Sequence, residues 1–395
     1  MEGSTASLSL PWKTRVTLSL ISTVTDASRR RNGTVNRRLL SMLGFKSPPS
    51  PNPVNGVKSF DVAVDPSRGL WFRVYVPTAA GKLPVVVFFH GGGFVYLSAD
   101  GKAYDAVCRR FARTIPAVVV SVDYRLAPEH RYPAQYDDGF DVQYVLDPNL
   151  PPLPDITDND SDETKAARKK REEDELVCRG HILNALSDRL YDLFTSSKCP
   201  KEIWKALENK YNNEKQGADK FLTLKYFEFT MNDSESVLDQ VHQLQILVSK
   251  LKDLKVEVIG LVAIQPFFGG EERTEAEKRL VGMPLTTLAR TDFMWKAFLP
   301  PGSDRDHEAV NVSGPRAVDI SKLEFPATMV VVAGFDMLQD WQRRYYEWLR
   351  RSGKEASLRE YPNTIHAFYI FPELPESGQL MSEVREFVQQ QMEKR

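Results

Sequence analysis

Six short runs of β-branched and aromatic residues, separated by helical and turn-rich stretches, constrain this chain more than any other feature. They are LWFRVYVP (Leu70 to Pro77), PVVVFFH (Pro84 to His90), AVVVSVDY (Ala117 to Tyr124), VIGLVAIQP (Val258 to Pro266), ATMVVVAG (Ala327 to Gly334) and ASLREYP (Ala356 to Pro362). PVVVFFH and AVVVSVDY are continuous enough to expect burial on both faces, as in parallel strands flanked by helices. DMLQDWQRRYYEWLRRSG, between the last two, reads as a helix closed by Gly353. This alternation predicts an α/β protein with a doubly wound, mostly parallel sheet.

The alternation stops in the middle. From Asp155 to Lys255 there are 17 Lys/Arg and 20 Asp/Glu in 101 residues, and a single proline, Pro200, of the chain's 25. Proline-poor, charge-rich sequence reads as helical. Leu183, Leu186, Leu190 and Leu193, and then Val237, Val241, Leu244, Val248 and Leu251 behind a cap at Ser234, repeat at helical spacing. These stripes suit the core of a small helical bundle, or pairing with like segments. Asp158 to Lys170 is polar enough to be a linker or a frayed helix start. The expected organisation is therefore 1–150, an all-helical 151–256, and 257–395.

Charge and motifs exclude several functions. Lys+Arg 52 against Asp+Glu 53 leaves a net charge of -1, so no global field draws in nucleic acid or anionic lipid. The basic run Lys165 to Arg171 is followed at once by EEDE, and no nucleic-acid partner is expected. There is no GxGxxG, P-loop or histidine-rich metal spacing, which implies neither cofactor nor metal. Cys108, Cys178 and Cys199 form no CxxC, and Pro11, Lys13, Arg15 and Asp26 interrupt every apolar stretch of the first forty residues. A cytoplasmic setting, open also to the nucleus, without signal peptide or membrane span, is the expectation. The sequons at Asn32, Asn232 and Asn311 are then chance matches.

Three elements carry chemistry. His90-Gly91-Gly92-Gly93 directly follows a strand, where glycines let backbone N–H groups turn toward a developing oxyanion; a plain glycine-rich turn would have the same composition. Asp336 follows the strand ATMVVVAG and suits either a catalytic acid or a helix cap. His366, in YPNTIHAFYIFPELP, suits a catalytic base or a satisfied core residue. Arg125, Glu129 and Asp138, in SVDYRLAPEHRYPAQYDD, suit a buried polar network or a solvated turn.

Taken together, HGGGF and DYRLAPEHRYP resemble the plant carboxylesterase branch of the hormone-sensitive-lipase-like α/β-hydrolases, a family that includes gibberellin receptors. LPWKTRVTLSLISTVTDASRRRNGTVNRRLL, VIGLVAIQPFFGGEERTEAE and DWQRRYYEWLRRSGK resemble most its carboxylesterase 18 type. The resemblance spans Leu10 to Leu146 and Val258 to the C-terminus, and implies an α/β-hydrolase-like fold that hydrolyses small carboxylic esters. It implies Asp336 as triad acid, His366 as triad histidine, and Gly91 and Gly92 as oxyanion donors. It also implies a small ester or hydrophobic acid as ligand. A glycine at position 93, where the receptors carry serine, points to the esterase side.

The family's nucleophile elbow, a G-x-S-x-G turn, belongs between DDGFD and VIGLVAIQPFF, and the chain contains no G-x-S-x-G anywhere. Instead, residues 162–256 resemble the capsid-type gag polyprotein of copia-like retrotransposons. The resulting expectation is an all-helical insertion in place of the nucleophile-elbow strand. That strand's two neighbours would each lose a ladder partner, and Asp336 and His366 would form a dyad without a serine. Neither Ser187 nor Ser197 sits on a strand-to-helix turn, and Cys178 has only Arg179 beside it, so no substitute nucleophile is expected. A ligand-binding protein that does not hydrolyse, and a non-functional chimeric gene product, remain the other readings.

Overall fold

The computed structural model describes residues 8, 10–43, 46–78, 83–146 and 258–394. The chain divides into two units, 1–146 with 257–395 and 147–256, and the described residues all belong to the first. The expected helices and linker of the middle segment, with Cys178, Ser187, Ser197 and Asn232, lie outside the described residues.

In chain order the elements are α1 (Trp12–Ser28), α2 (Arg37–Leu43), β1 (Val57–Asp65), β2 (Leu70–Pro77), β3 (Val85–Phe89), α3 (Lys102–Thr114), β4 (Val118–Asp123) and α4 (Ala134–Leu146). Then come β5 (Gly260–Ile264), α5 (Glu275–Arg279), α6 (Leu288–Phe298), β6 (Ala327–Phe335), α7 (Gln339–Arg351), β7 (Ala356–Ile365) and α8 (Pro375–Glu393). All six expected strands are present. The strand β1, VKSFDVAVD, adds an antiparallel edge to β2, and its alternating pattern is that of a strand open on one face. Helix α7 ends as its sequence demands, with Gly353 at a φ of +73° and the Lys354 N–H returning to the Leu349 carbonyl at 3.0 Å.

The strands form two sheets, in the orders β1-β2-β4-β3 and β5-β6-β7. The pairs β3/β4, β5/β6 and β6/β7 are parallel, and β1/β2 and β2/β4 antiparallel. Among the described residues, β3 and β5 therefore have a ladder on one side only. This departs from the burial expected of β3. Strand β4 is buried along nearly its whole length, whereas Val85, Val87 and Phe89 of β3 are 37–50% exposed. Val86 and Phe88, on the other face of β3, pack into the main core. A continuous apolar run is buried on both faces only when both have neighbours, and the face of β3 that carries Val85, Val87 and Phe89 is only partly covered.

One core joins the two sheets. Val119 of β4, Met329 and Val331 of β6, Val107 and Phe111 of α3, and Leu380 and Val384 of α8 belong to a single buried cluster. Helix α3 packs against the first sheet and α8 against β5 of the second, and the two helices meet in this shared core. No helix among the described residues is long and apolar enough to cross a membrane.

Candidate active site

The register of β6 and β7 builds the centre of the site. The two strands run parallel with Phe335 opposite Ile365, so the next residue of each, Asp336 and His366, emerges at the same level. A bulge between Ala333 and Phe335 is possible because Gly334 has no Cβ: one there would lie 2.2 Å from the Pro362 carbonyl oxygen.

Asp336 is completely buried, and its carboxylate is saturated. One oxygen accepts the Leu338 N–H at 3.0 Å; the other accepts Gln342 Nε2 at 2.8 Å and meets His366 Nδ1 at 2.7 Å. One oxygen thus holds the Leu338 N–H at the entry to α7 while the other faces the histidine, so the two contacts are not alternatives. Three donors satisfy a buried carboxylate that would otherwise be strongly disfavoured. An ionised carboxylate only accepts, which assigns the imidazole proton to Nδ1 and leaves Nε2 with its lone pair. Nε2 has no hydrogen-bond partner among the described residues, so its lone pair is available as a base.

Two supporting residues are not legible in the sequence. Gln342, in the first turn of α7, lies six residues beyond Asp336, and only the fold shows which way its carboxamide points. Gln265, the first residue after β5, accepts the Ala367 N–H at 2.8 Å and donates to the Ile365 carbonyl at 3.1 Å. No pattern around a single glutamine at a strand end would have disclosed this.

The glycine loop leaves β3 with each residue constrained. A Cβ on Gly91 would meet the Tyr104 hydroxyl at 2.7 Å, one on Gly92 the Tyr96 carbonyl oxygen at 2.2 Å, and one on Gly93 the Met294 sulfur at 2.4 Å. Gly92, Gly93 and Phe94 have φ of +118°, +59° and +62°. The Gly92 carbonyl accepts from Val95 and Tyr96, while the N–H groups of Gly92 and Gly93 have no acceptor among the described residues. His90 lies beneath, buried and stacked on Tyr124 with ring centroids 4.3 Å apart. Burial pushes its imidazole down to about 4, so it is neutral. Its Nε2 is buried without a partner.

Loop and dyad meet at the C-terminal ends of the parallel strands, where α/β sheets place their sites. The Cβ position of Gly93 is 3.2 Å from the ring of Phe267, two residues beyond Gln265. That of Gly91 is 3.7 Å from the hydroxyl of Tyr369, three residues beyond His366. A shallow cleft lined by Glu272, Asp306, Asn311, Trp341 and Arg344 contains no residue of this site.

The other polar residues singled out from the sequence divide. Arg125 binds the fully buried Asp138 through its backbone N–H at 2.8 Å and its guanidinium at 2.8–3.0 Å, and Arg68 reaches the same carboxylate. Glu129 does not join them. It forms an exposed pair with Arg37 of α2 at 2.6 Å, because the turn carries it outward to the N-terminal segment. The sequon residue Asn311 is buried, with its amide on Asp306 at 2.8 Å, and Asn32 is exposed.

Comparison with known proteins agrees with this fold. A family model described as alpha/beta hydrolase fold matches residues 86–165 and 241–370, and one described as gag-polypeptide of LTR copia-type matches residues 141–261. A gibberellin receptor of Arabidopsis thaliana is 33% identical over 394 residues, covering 96% of this chain and 94% of the receptor. Carboxylesterase 20 of the same plant is 29% identical over 336 residues, covering 82% and 83%. Among solved structures, an ester-hydrolase from the metagenome of Lake Arreo aligns with a TM-score of 0.55 at 22% identity, over 96% of this chain and 98% of its own, a likeness of fold. The chain is a carboxylesterase-like member of the alpha/beta hydrolase fold family and carries a segment similar to copia-type gag polypeptide.

Proposed function

We propose that this protein is a carboxylic ester hydrolase scaffold that has lost its nucleophile: it binds a small carboxylic ester or hydrophobic acid and turns it over poorly or not at all. One observation carries the reading: the Asp336–His366 pair is held at 2.7 Å in a chain without any G-x-S-x-G. In this reading the ancestral triad used His366 as general base and then acid with Asp336 orienting it, and, as the family resemblance implies, the Gly91 and Gly92 N–H groups held the oxyanion. The serine that would attack the carbonyl is absent. The residual acceleration is that of an oxyanion site and binding, several powers of ten below an intact triad. In this reading residues 151–256, similar in sequence to gag polypeptide, are an insertion between 1–150 and 257–395.

The test is the hydrolysis of a short-chain p-nitrophenyl ester by the wild type and by His366→Ala. Equal rates, both near buffer, support the reading. A wild-type rate that His366→Ala abolishes overturns it.

A second reading, a gibberellin-binding receptor without turnover, is favoured by the 33% identity that extends over 96% of the chain. Against it stands Gly93, whose φ of +59° and contact with Met294 leave a side chain little room. Saturable binding of gibberellin to the purified protein decides for this reading, and no binding decides against it.

A further inference from the structure

We infer that Gln265 is the positioning residue of His366, fixing the imidazole from its backbone end as Asp336 fixes it from the ring. The inference deepens the proposed function and rests on its assignment of His366 as the base.

Gln265 is 3% exposed and is anchored twice. Its N–H donates to the Val331 carbonyl at 3.0 Å, which extends the β5/β6 ladder by one residue. Its side chain then crosses to the end of β7, where the carbonyl oxygen takes the Ala367 N–H and the amide nitrogen binds the Ile365 carbonyl. The two peptide groups flanking His366 are therefore both held by one carboxamide. Because one contact is a pure donor and the other a pure acceptor, the orientation of the amide is determined by the network.

Backbone conformation makes the contact demanding. Gln265 has a φ of +47° and Ala367 a φ of +58°, and both are non-glycine residues in the left-handed region. Such conformations persist only where the surroundings over-determine them. Here the two residues are hydrogen-bonded to each other across His366. With Cα held by Gln265 and Nδ1 by Asp336, the ring has one orientation, and Nε2 keeps its free side. Gln265 touches no reacting atom, so its effect must pass through the imidazole.

The test uses the full-length protein with 15N-labelled histidine, the His366 signals being identified as those missing in His366→Asn. The wild type is expected to show a single Nδ1–H tautomer with a slowly exchanging, hydrogen-bonded proton. Gln265→Met keeps the length and removes both polar arms; it should lose that proton resonance and give mixed tautomers in a protein that still unfolds cooperatively. Gln265→Glu keeps the acceptor and removes the donor, and should retain the resonance with a shifted position and faster exchange. A lowered unfolding temperature with an unchanged His366 spectrum would show a merely structural role and overturn the inference. If Gln265→Met does not fold, Gln265→Glu decides: a shifted spectrum supports the inference and an unchanged one overturns it. The spectrum requires no turnover, so a substitute nucleophile would sink the functional reading and leave this one standing.

Discussion

The corner where β6 and β7 end and the outer edge of β3 border the same core, yet they are built to opposite standards. At the corner every polar atom of the Asp336 carboxylate has a partner, and glutamines from the end of β5 and from α7 reach in toward the pair. Along β3, alternate apolar side chains are 37–50% exposed, and the strand has one ladder among the described residues. The difference teaches what each depends on. Asp336 and His366 are placed by the β6/β7 register and by contacts with β5 and α7, and none of these passes through the sheet position beside β3. The acid–base pair therefore does not depend on a strand beside β3.

The largest effect should come from the corner. Asp336→Ala strands the Leu338 N–H, the Gln342 amide and the His366 proton in a buried site, and should destabilise the protein by about 3–5 kcal/mol in urea unfolding. A loss below about 1 kcal/mol would mean that the corner is not a satisfied network. Next, Gly92→Ala combines a φ of +118° with a Cβ 2.2 Å from a carbonyl oxygen. It should cost about 3 kcal/mol, read in the same experiment.

The glycine motif was legible because four consecutive residues after a β-branched run admit few geometries, and Asp336 because it ends such a run. The register that sets Phe335 opposite Ile365 was not, since pairing is a property of two distant segments. Which of its two readings Glu129 follows was not legible for a similar reason: its partner, Arg37, lies 92 residues away. The exposure of β3 was hidden because apolar runs report what a side chain prefers and say nothing of whether a neighbour is there.

Two buried groups give a pH test of the first sheet. Asp123, at the end of β4, is pushed up to about 6 by burial, against the Ala99 N–H that favours its charge. A carboxyl raised from 3.8 favours the fold below that value, and its contribution is lost as pH rises through 6. Asp123→Asn should therefore be more stable than the wild type at pH 7, by roughly 1–2 kcal/mol after allowing for partial exposure, and equal to it near pH 3.5. His90 acts oppositely. Its pKa is lowered from 6.5 to about 4, so it supports the fold fully above 6.5 and loses that support as pH falls toward 4. Thermal unfolding across pH 3.5–8 separates the two, and an advantage for Asp123→Asn that grows on acidification would contradict this assignment.

The smallest effect is expected at the open edge. Val87→Lys should change stability by less than about 0.5 kcal/mol and reduce self-association seen in light scattering, because a lysine blunts an exposed strand edge. A cost above about 1.5 kcal/mol would show that this edge is covered, and would remove the contrast.

The central claim, a formed acid–base pair without a nucleophile, is tested most directly by the intact mass of the purified protein after reaction with a serine-directed fluorophosphonate. The account predicts an unmodified mass. A stoichiometric adduct, mapped to one residue and lost in His366→Ala, would contradict it.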